Sequence, residues 1–170
     1  MSTPPNIHIA FADFAPDFNQ VIMDGFLRCH DEPLTRKSHY FGNRHENIYI
    51  TSAQMPMLEL LVDTAIRHAQ DALGKPAEPL RCGYWFNAML PGHITQMHSH
   101  DDADERLSGV YYVQVPPRSG QLLLKQGDEI THITPQAGMF VFFPADIEHA
   151  VSEHRGEGLR LSIGMNFGPA

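Results

Sequence analysis

Residues 92–102 read Gly92-His93-Ile94-Thr95-Gln96-Met97-His98-Ser99-His100-Asp101-Asp102 and place two histidines two positions apart. If this stretch ends a β-strand, His98, His100 and Asp102 point to one face, because side chains alternate along a strand. Two neighbours on one face can offer two coordination positions to a metal ion. His93 has the opposite register to His98, so we expect it to lie outside the metal's coordination sphere.

A second stretch, residues 138–149, supplies a third ligand. An apolar strand, Gly138 to Phe143, runs into a turn that contains Pro144 and delivers His149 at the start of the next strand. Three ligands on one side of a metal leave the other side open, as oxygen-activating iron sites require. The sequence therefore predicts one divalent metal on His98, His100 and His149, with Asp102 as the alternative second ligand. A single histidine is usually structural or solvated, and the other seven stay unassigned.

Around these two stretches the chain beyond Pro79 predicts a β-barrel. Short β-rich runs, broken by Pro, Gly and Asp, cover residues 84–86, 94–98, 107–115, 121–124, 130–133, 139–143 and 159–167. Several strands at this spacing indicate a sandwich or barrel, and a closed or double-sheet architecture leaves a mouth for a site. The prediction is a mainly β jelly-roll barrel with N-terminal helices.

The N-terminal part predicts two helices separated by a loop. Apolar residues recur at helical spacing over residues 16–30, and again from Pro56 to Leu73, where Gly74-Lys75-Pro76 ends the helix. The polar stretch 31–47 between them is interpreted as a loop. We expect one domain, residues 1–170, in which a helical segment with its loop (1–78) packs on the barrel core (79–170).

Composition limits the partners. The formal charge of −8, from 12 basic and 20 acidic side chains, comes with no basic stripe, which argues against nucleic acid. No apolar run is long enough to cross a membrane, the first residues lack the features of a secretory signal, and the two cysteines suggest no disulfide framework. A cytoplasmic protein that acts on a small molecule is expected, with a homodimer left open.

Residues 84–167 resemble the iron(II)/2-oxoglutarate dioxygenases, especially a small bacterial subgroup similar to prolyl-4-hydroxylases. The resemblance rests on Trp85-Phe86-Asn87, His98-x-His100, residues 107–113, residues 116–122, Gly138 to Pro144, His149 and Arg160-x-Ser162. It implies a double-stranded β-helix with Fe(II), 2-oxoglutarate and O2 as cofactors. Most members carry H-x-D where this chain has His98-x-His100. Counting back from Ser108-Gly109-Val110-Tyr111 instead makes His100 and Asp102 the pair.

The same resemblance assigns the cosubstrate residues. Arg160 and Ser162, taken to lie on the same returning strand as His149, would hold the distal carboxylate of 2-oxoglutarate, which a guanidinium can grip with two hydrogen bonds. Tyr112, with Tyr111 next in line, would contact the cosubstrate. Asn87, Gln96 and Arg44 are candidates for the substrate pocket, and the cations of the 31–47 loop would allow an anionic substrate.

Cupins are a second resemblance, in which Gly92, His98, His100, Glu105 and His149 match the family motifs. That alternative makes Glu105 a metal ligand and implies a dioxygenase or isomerase that does not use 2-oxoglutarate, but it leaves Arg160-x-Ser162 without a role. A metal-binding module without catalysis is a third hypothesis. The favoured prediction is a 2-oxoglutarate-dependent oxygenase that hydroxylates, or otherwise oxidises, a small or amino-acid-like substrate. An all-histidine site would also accept zinc or nickel.

Overall fold

The computed structural model describes residues 6–100 and 104–170, which form two antiparallel sheets and two helices. In chain order the elements are β1 (His8–Phe11), α1 (Phe18–Cys29), β2 (Arg36–Phe41), β3 (Arg44–Tyr49), α2 (Met57–Ala72), β4 (Leu80–Met89), β5 (Thr95–His98), β6 (Leu107–Gln114), β7 (Leu122–Gln126), β8 (Glu129–Ile133), β9 (Met139–Pro144), β10 (Glu148–Val151) and β11 (Arg160–Pro169). Neither helix is long and apolar enough to cross a membrane.

The larger sheet has seven strands in the order β1-β9-β6-β11-β4-β3-β2, and the smaller has four in the order β5-β10-β7-β8. Chain neighbours are often separated in the sheets, so the strands cross from one sheet to the other as in a jelly roll. The predicted mainly β fold, a double-stranded β-helix with N-terminal helices, is confirmed.

Strict alternation along the strands of the larger sheet separates two cores. On one face Tyr111, Phe140, Phe142 and Ile163 pack against the helices. The opposite face carries Tyr112, Val141 and Phe143, which pack with Leu122 and Leu124 from the smaller sheet. Residues next to each other in sequence therefore lie in different compartments, and only the second face can line the interior of the barrel.

The helices match the predicted stripes within two residues at each end. α1 buries Phe18, Ile22 and Phe26 on one side. Gly25 allows α1 to pack closely against the turn that precedes α2, because a Cβ at Gly25 would lie 2.6 Å from Cε of Met55.

The prediction of a polar loop over residues 31–47 is wrong. It contains β2 and most of β3, which form a hairpin at the edge of the larger sheet, and β1 extends the opposite edge. The hairpin has polar side chains on both faces, so it shows no alternation of polar and apolar residues. Its turn, Gly42-Asn43, has positive φ at both residues, which is the geometry of a tight two-residue hairpin connection.

The prediction that His149 and Arg160 share one strand is also wrong. His149 lies on β10 of the smaller sheet and Arg160 begins β11 of the larger sheet. The connecting loop is held by His154, which is 1 % exposed. Its Nε2 bonds the carbonyl of Gly158, and its Nδ1 accepts from the backbone N–H of Gly156.

Candidate metal and cosubstrate site

Three imidazoles converge at one end of the barrel. His98 ends β5 and pairs across the strands with His149 at the start of β10, while His100 lies two residues beyond β5. One ligand nitrogen from each lies within 4.8 Å of the others, and the ring centroids of His98 and His149 are 4.2 Å apart. Two nitrogens bound about 2.1 Å from one metal lie at most about 4.2 Å apart, so small ring rotations suffice to bind one ion.

Backbone carbonyls orient two of these rings. Nδ1 of His98 lies 2.7 Å from the carbonyl oxygen of Gln96, and Nδ1 of His149 lies 3.1 Å from that of Ile147. A carbonyl only accepts, so Nδ1 carries the proton in both rings and Nε2 presents its lone pair, as in most histidine–metal sites. Burial, followed by the neighbouring His98, lowers the pKa of His149 to about 3. The ring is therefore neutral near pH 7, in the form that binds metals.

His100 is placed by the backbone outside the strand. Its N–H donates to the carbonyl of Ala145, 2.9 Å away, in the turn before β10. The indole of Trp85 lies beside it, with 5.3 Å between ring centroids. Trp85 fits there because Gly164 opposite has no side chain, and a Cβ at Gly164 would lie 2.5 Å from the indole.

A buried guanidinium lies in the same cavity. Arg160 is fully buried, and its Cζ lies 5.3 Å from the ring centroid of Tyr112. Its Nη1 donates to a weak acceptor, Sδ of Met89 at 3.6 Å, and within the described ranges Nε and Nη2 have no hydrogen-bond partner. Burial lowers the pKa of Arg160 and raises that of Tyr112, with each partly compensating the other. Unsatisfied buried donors are rare, so this group is suited to an anionic ligand.

The cavity that joins these groups measures about 340 Å³. Ligand pockets in proteins run from about 300 to 1,000 Å³, so this cavity suits a small ligand. Its described lining includes the three histidines, Arg160, Ser162 and Tyr112, together with the hairpin residues His39, Glu46 and Asn47. Arg160 and Ser162 reach it because alternate residues of β11 face the barrel interior.

The remaining candidates fall into three groups. Asn87 and Gln96 line the cavity, where Asn87 also donates from Nδ2 to Oγ1 of Thr95 at 3.2 Å and Gln96 is exposed. Tyr111 was wrongly placed next to the cosubstrate, because it faces the helices, where its hydroxyl donates to Oδ1 of Asn19. Asp102 lies outside the described residues.

Two further assignments need correction. Glu105, the extra ligand of the cupin alternative, pairs with Nη1 of Arg81 at 3.0 Å and does not join the histidine cluster. Arg44 does not line the cavity. Its Nη atoms are directed at Oδ1 of Asn87, Oγ1 of Thr95 and the carbonyls of Ala88 and Ile94, so it ties the hairpin to both sheets.

Trp85 and Glu46 are among the cavity-lining side chains that the sequence interpretation did not assign. Trp85 could have been found, since it lies two residues before Asn87 on the same strand face. Glu46 could not, because the polar segment around it was interpreted as a loop.

The structure thus places three clustered histidines in one cavity with a buried arginine whose Nε and Nη2 have no acceptor among the described residues. The sequence of residues 84–168 matches the 2OG-Fe(II) oxygenase superfamily. The chain belongs to this family, and it is a 2-oxoglutarate-dependent dioxygenase whose cofactors are Fe(II), 2-oxoglutarate and O2.

Solved structures agree on the fold. A Pseudomonas putida prolyl-4-hydroxylase is 19 % identical over 96 % of this chain and 92 % of its own, with a TM-score of 0.73. A 2OG-Fe(II) oxygenase family oxidoreductase from Burkholderia pseudomallei is 18 % identical (96 % and 84 % covered, TM-score 0.73). HygX from Streptomyces hygroscopicus, with nickel and 2-oxoglutarate bound, is 12 % identical (97 % and 83 % covered, TM-score 0.71). No curated protein sequence matches the chain.

Proposed function

We propose that His98, His100 and His149 hold the catalytic iron(II) and that Arg160 binds the far carboxylate of 2-oxoglutarate, for the oxidation of a small, amino-acid-like substrate. The observation that carries the proposal is the common cavity, in which three clustered imidazoles lie together with a buried guanidinium that has unsatisfied donors. The histidines and the arginine come from different sheets and meet only in the fold.

The donor set fits the family's cofactors. Neutral imidazoles are good ligands for Fe(II), and the arginine matches a carboxylate with two parallel hydrogen bonds. Ser162, 3 % exposed and two residues after Arg160, would donate its hydroxyl to the same carboxylate. When bound, iron and 2-oxoglutarate together supply the oxidising power drawn from O2.

The chain's own residues would position the metal and the cosubstrate and would keep water out of the site. The Gln96 and Ile147 carbonyls fix the tautomers of His98 and His149, so their Nε2 atoms need no reorientation of protons when the metal binds. Tyr112 lies under the Arg160 guanidinium, and its ring keeps that group dry. A charged group in a dry site attracts an anionic ligand more strongly than it would in water.

We assign the second metal ligand to His100. It lies within reach of the other two imidazoles, whereas Glu105 is engaged by Arg81. Three neutral ligands add no negative charge at the metal, so the site should also take Zn(II) or Ni(II), which favour nitrogen donors.

The test begins with turnover of 2-oxoglutarate to succinate, measured with Fe(II), ascorbate and O2. We expect metal-dependent succinate formation, and we expect Arg160→Ala to lose it at low 2-oxoglutarate, with a KM raised about 10²-fold because a charged hydrogen-bond pair is gone. Arg155, exposed and paired only with Glu153 at 2.8 Å within the described residues, gives the matched control Arg155→Ala.

Metal binding has an independent readout in Trp85. It is the only tryptophan of the chain and lies 5.3 Å from His100, so Ni(II) or Fe(II) at the site should quench its fluorescence. His149→Ala should weaken the quenching, whereas His132→Ala, at an exposed position of β8, should not. Unchanged turnover in Arg160→Ala, or quenching that survives His149→Ala, would refute these assignments.

A further inference from the structure

Glu46 is a carboxylate in the wall of the cavity. It comes from β3 of the hairpin, and its side chain is 15 % exposed. Among the described lining residues it is the only acidic side chain, and Arg160 is the only lysine or arginine. The described cavity thus offers one fixed positive and one fixed negative group.

The carboxylate of Glu46 is poorly compensated. Its nearest cation is Nη2 of Arg44 at 3.6 Å, which is too long for a hydrogen bond. The Nη atoms of Arg44 already face four other acceptors, on Asn87, Ala88, Ile94 and Thr95. In the part of the chain that the structure describes, the buried Oε1 of Glu46 accepts no hydrogen bond.

A buried acceptor left without a donor costs about 1–3 kcal/mol, and more when it is charged. A ligand that brings a donor recovers this cost, and a charged donor recovers the most because charge-assisted hydrogen bonds are about twice as strong as neutral ones. A ligand that brings a carboxylate to the same place adds repulsion. The ion pair with Arg44 lowers the charge of Glu46 as seen from a distance, and a ligand in the cavity can reach the 15 % of the side chain that stays exposed.

We propose that Glu46 selects the substrate by accepting a hydrogen bond from a positively charged nitrogen, so the substrate class is that of small amines or guanidines. This inference rests on the proposed function, since it takes Arg160 as the group that binds 2-oxoglutarate. Arg160 would then bind the anionic 2-oxoglutarate, and Glu46 would bind the cationic substrate. Trp85 lines the same cavity, and its ring is the aromatic surface that best accommodates a cation. The substrate would then meet a carboxylate, whereas the cations of the 31–47 segment had suggested an anionic substrate.

The inference is tested by the melting temperature of the full chain loaded with Mn(II) and saturating 2-oxoglutarate. The probes are pentylamine and agmatine as cations, 1-pentanol as the neutral match and pentanoate as the anion. We expect the cations to raise Tm in a concentration-dependent way and the other two to have no effect. Glu46→Gln should weaken cation binding about tenfold or more, the loss of one charge-assisted hydrogen bond. Glu129→Gln, at an exposed position of β8, should not.

The outcomes separate the two proposals. If 2-oxoglutarate itself raises Tm in the wild type and in Glu46→Gln, the cosubstrate site stands and the variant is folded. A cation effect that survives Glu46→Gln, a stronger effect of pentanol or pentanoate, or no effect of either cation overturns the substrate inference alone. A failure of 2-oxoglutarate to raise Tm overturns the proposed function instead.

Discussion

Replacing Arg160 with methionine should stabilise the protein when it is free of metal and cosubstrate. Two nitrogens of this fully buried side chain have no acceptor in the described residues, and each unsatisfied donor costs about 1–3 kcal/mol. Against this, Arg160→Met gives up the contact with Tyr112, worth about 2 kcal/mol when desolvated, and leaves a small void that costs about 1 kcal/mol. The balance is a gain of about 1 kcal/mol.

The gain is measured by urea denaturation of the metal-free protein, followed through Trp85 fluorescence. For a chain of this size, 1 kcal/mol corresponds to about 2–4 °C in Tm. With saturating Mn(II) and 2-oxoglutarate, the wild type should instead be more stable than Arg160→Met. At 100 times its Kd, a ligand adds about 2.7 kcal/mol to the wild type, whereas Arg160→Met, which lacks the carboxylate partner, should gain much less.

The crossover is the diagnostic feature of this prediction. A residue that only holds the fold together would lower stability in both states when replaced. The reasoning is refuted if Arg160→Met is less stable than the wild type by more than about 2 kcal/mol without ligands, or if 2-oxoglutarate stabilises both proteins equally. Arg155→Met, at an exposed site, should stay within about 0.5 kcal/mol of the wild type in both states.

Three other perturbations follow from the same contacts. Arg44→Met should loosen the hairpin, with faster amide hydrogen exchange in β2 and β3, because the bonds of Arg44 to β4 and to the segment at the start of β5 are lost; equal protection in both proteins would refute this. Burial raises the pKa of Tyr111 from 10.0 to about 12, so the folded protein keeps a proton that the unfolded chain releases. Stability should then fall as the pH rises above about 10, by up to about 2.7 kcal/mol at 1.36 kcal/mol per pKa unit, and Tyr111→Phe should flatten that fall in urea titrations. Gly164→Ala should displace the Trp85 indole, shift its emission and weaken Ni(II) quenching; an unchanged spectrum would show that the β11 backbone yields instead.

The sequence predicted the barrel, and that His98, His100 and His149 come together, because the relevant signals are local. Runs of β-forming residues between Pro and Gly locate most strands of residues 84–167, and period-two alternation places Arg160 with Ser162 on one face. The histidines stood out because two short segments, each at a strand end, carry the same residue type.

The same alternation could not decide which face of a strand is the inner one. In β6 both Tyr111 and Tyr112 are 1 % exposed, since the strand is buried on both sides. A one-residue change of phase exchanges the two compartments, and no local feature of the sequence sets that phase. The hairpin was missed for a related reason, because β3 pairs with β4, a strand that is distant in sequence, as the register of Ile48 with Phe86 shows.

The distance between the histidine cluster and Arg160 depends on how the two sheets pack. His98 and His149 belong to the smaller sheet and Arg160 to the larger one, and facing sheets lie about 10 Å apart with their spacing set by the side chains between them. Those side chains include Val141 and Leu124, and Leu124 lies directly opposite His149 in the strand register. The loop from β10 to β11 must cross this gap, and the buried ring of His154 holds it in one conformation. The geometry of the candidate site therefore depends on the interior of the barrel as a whole, which is why short motifs could single out the three histidines but could not specify how far they lie from Arg160.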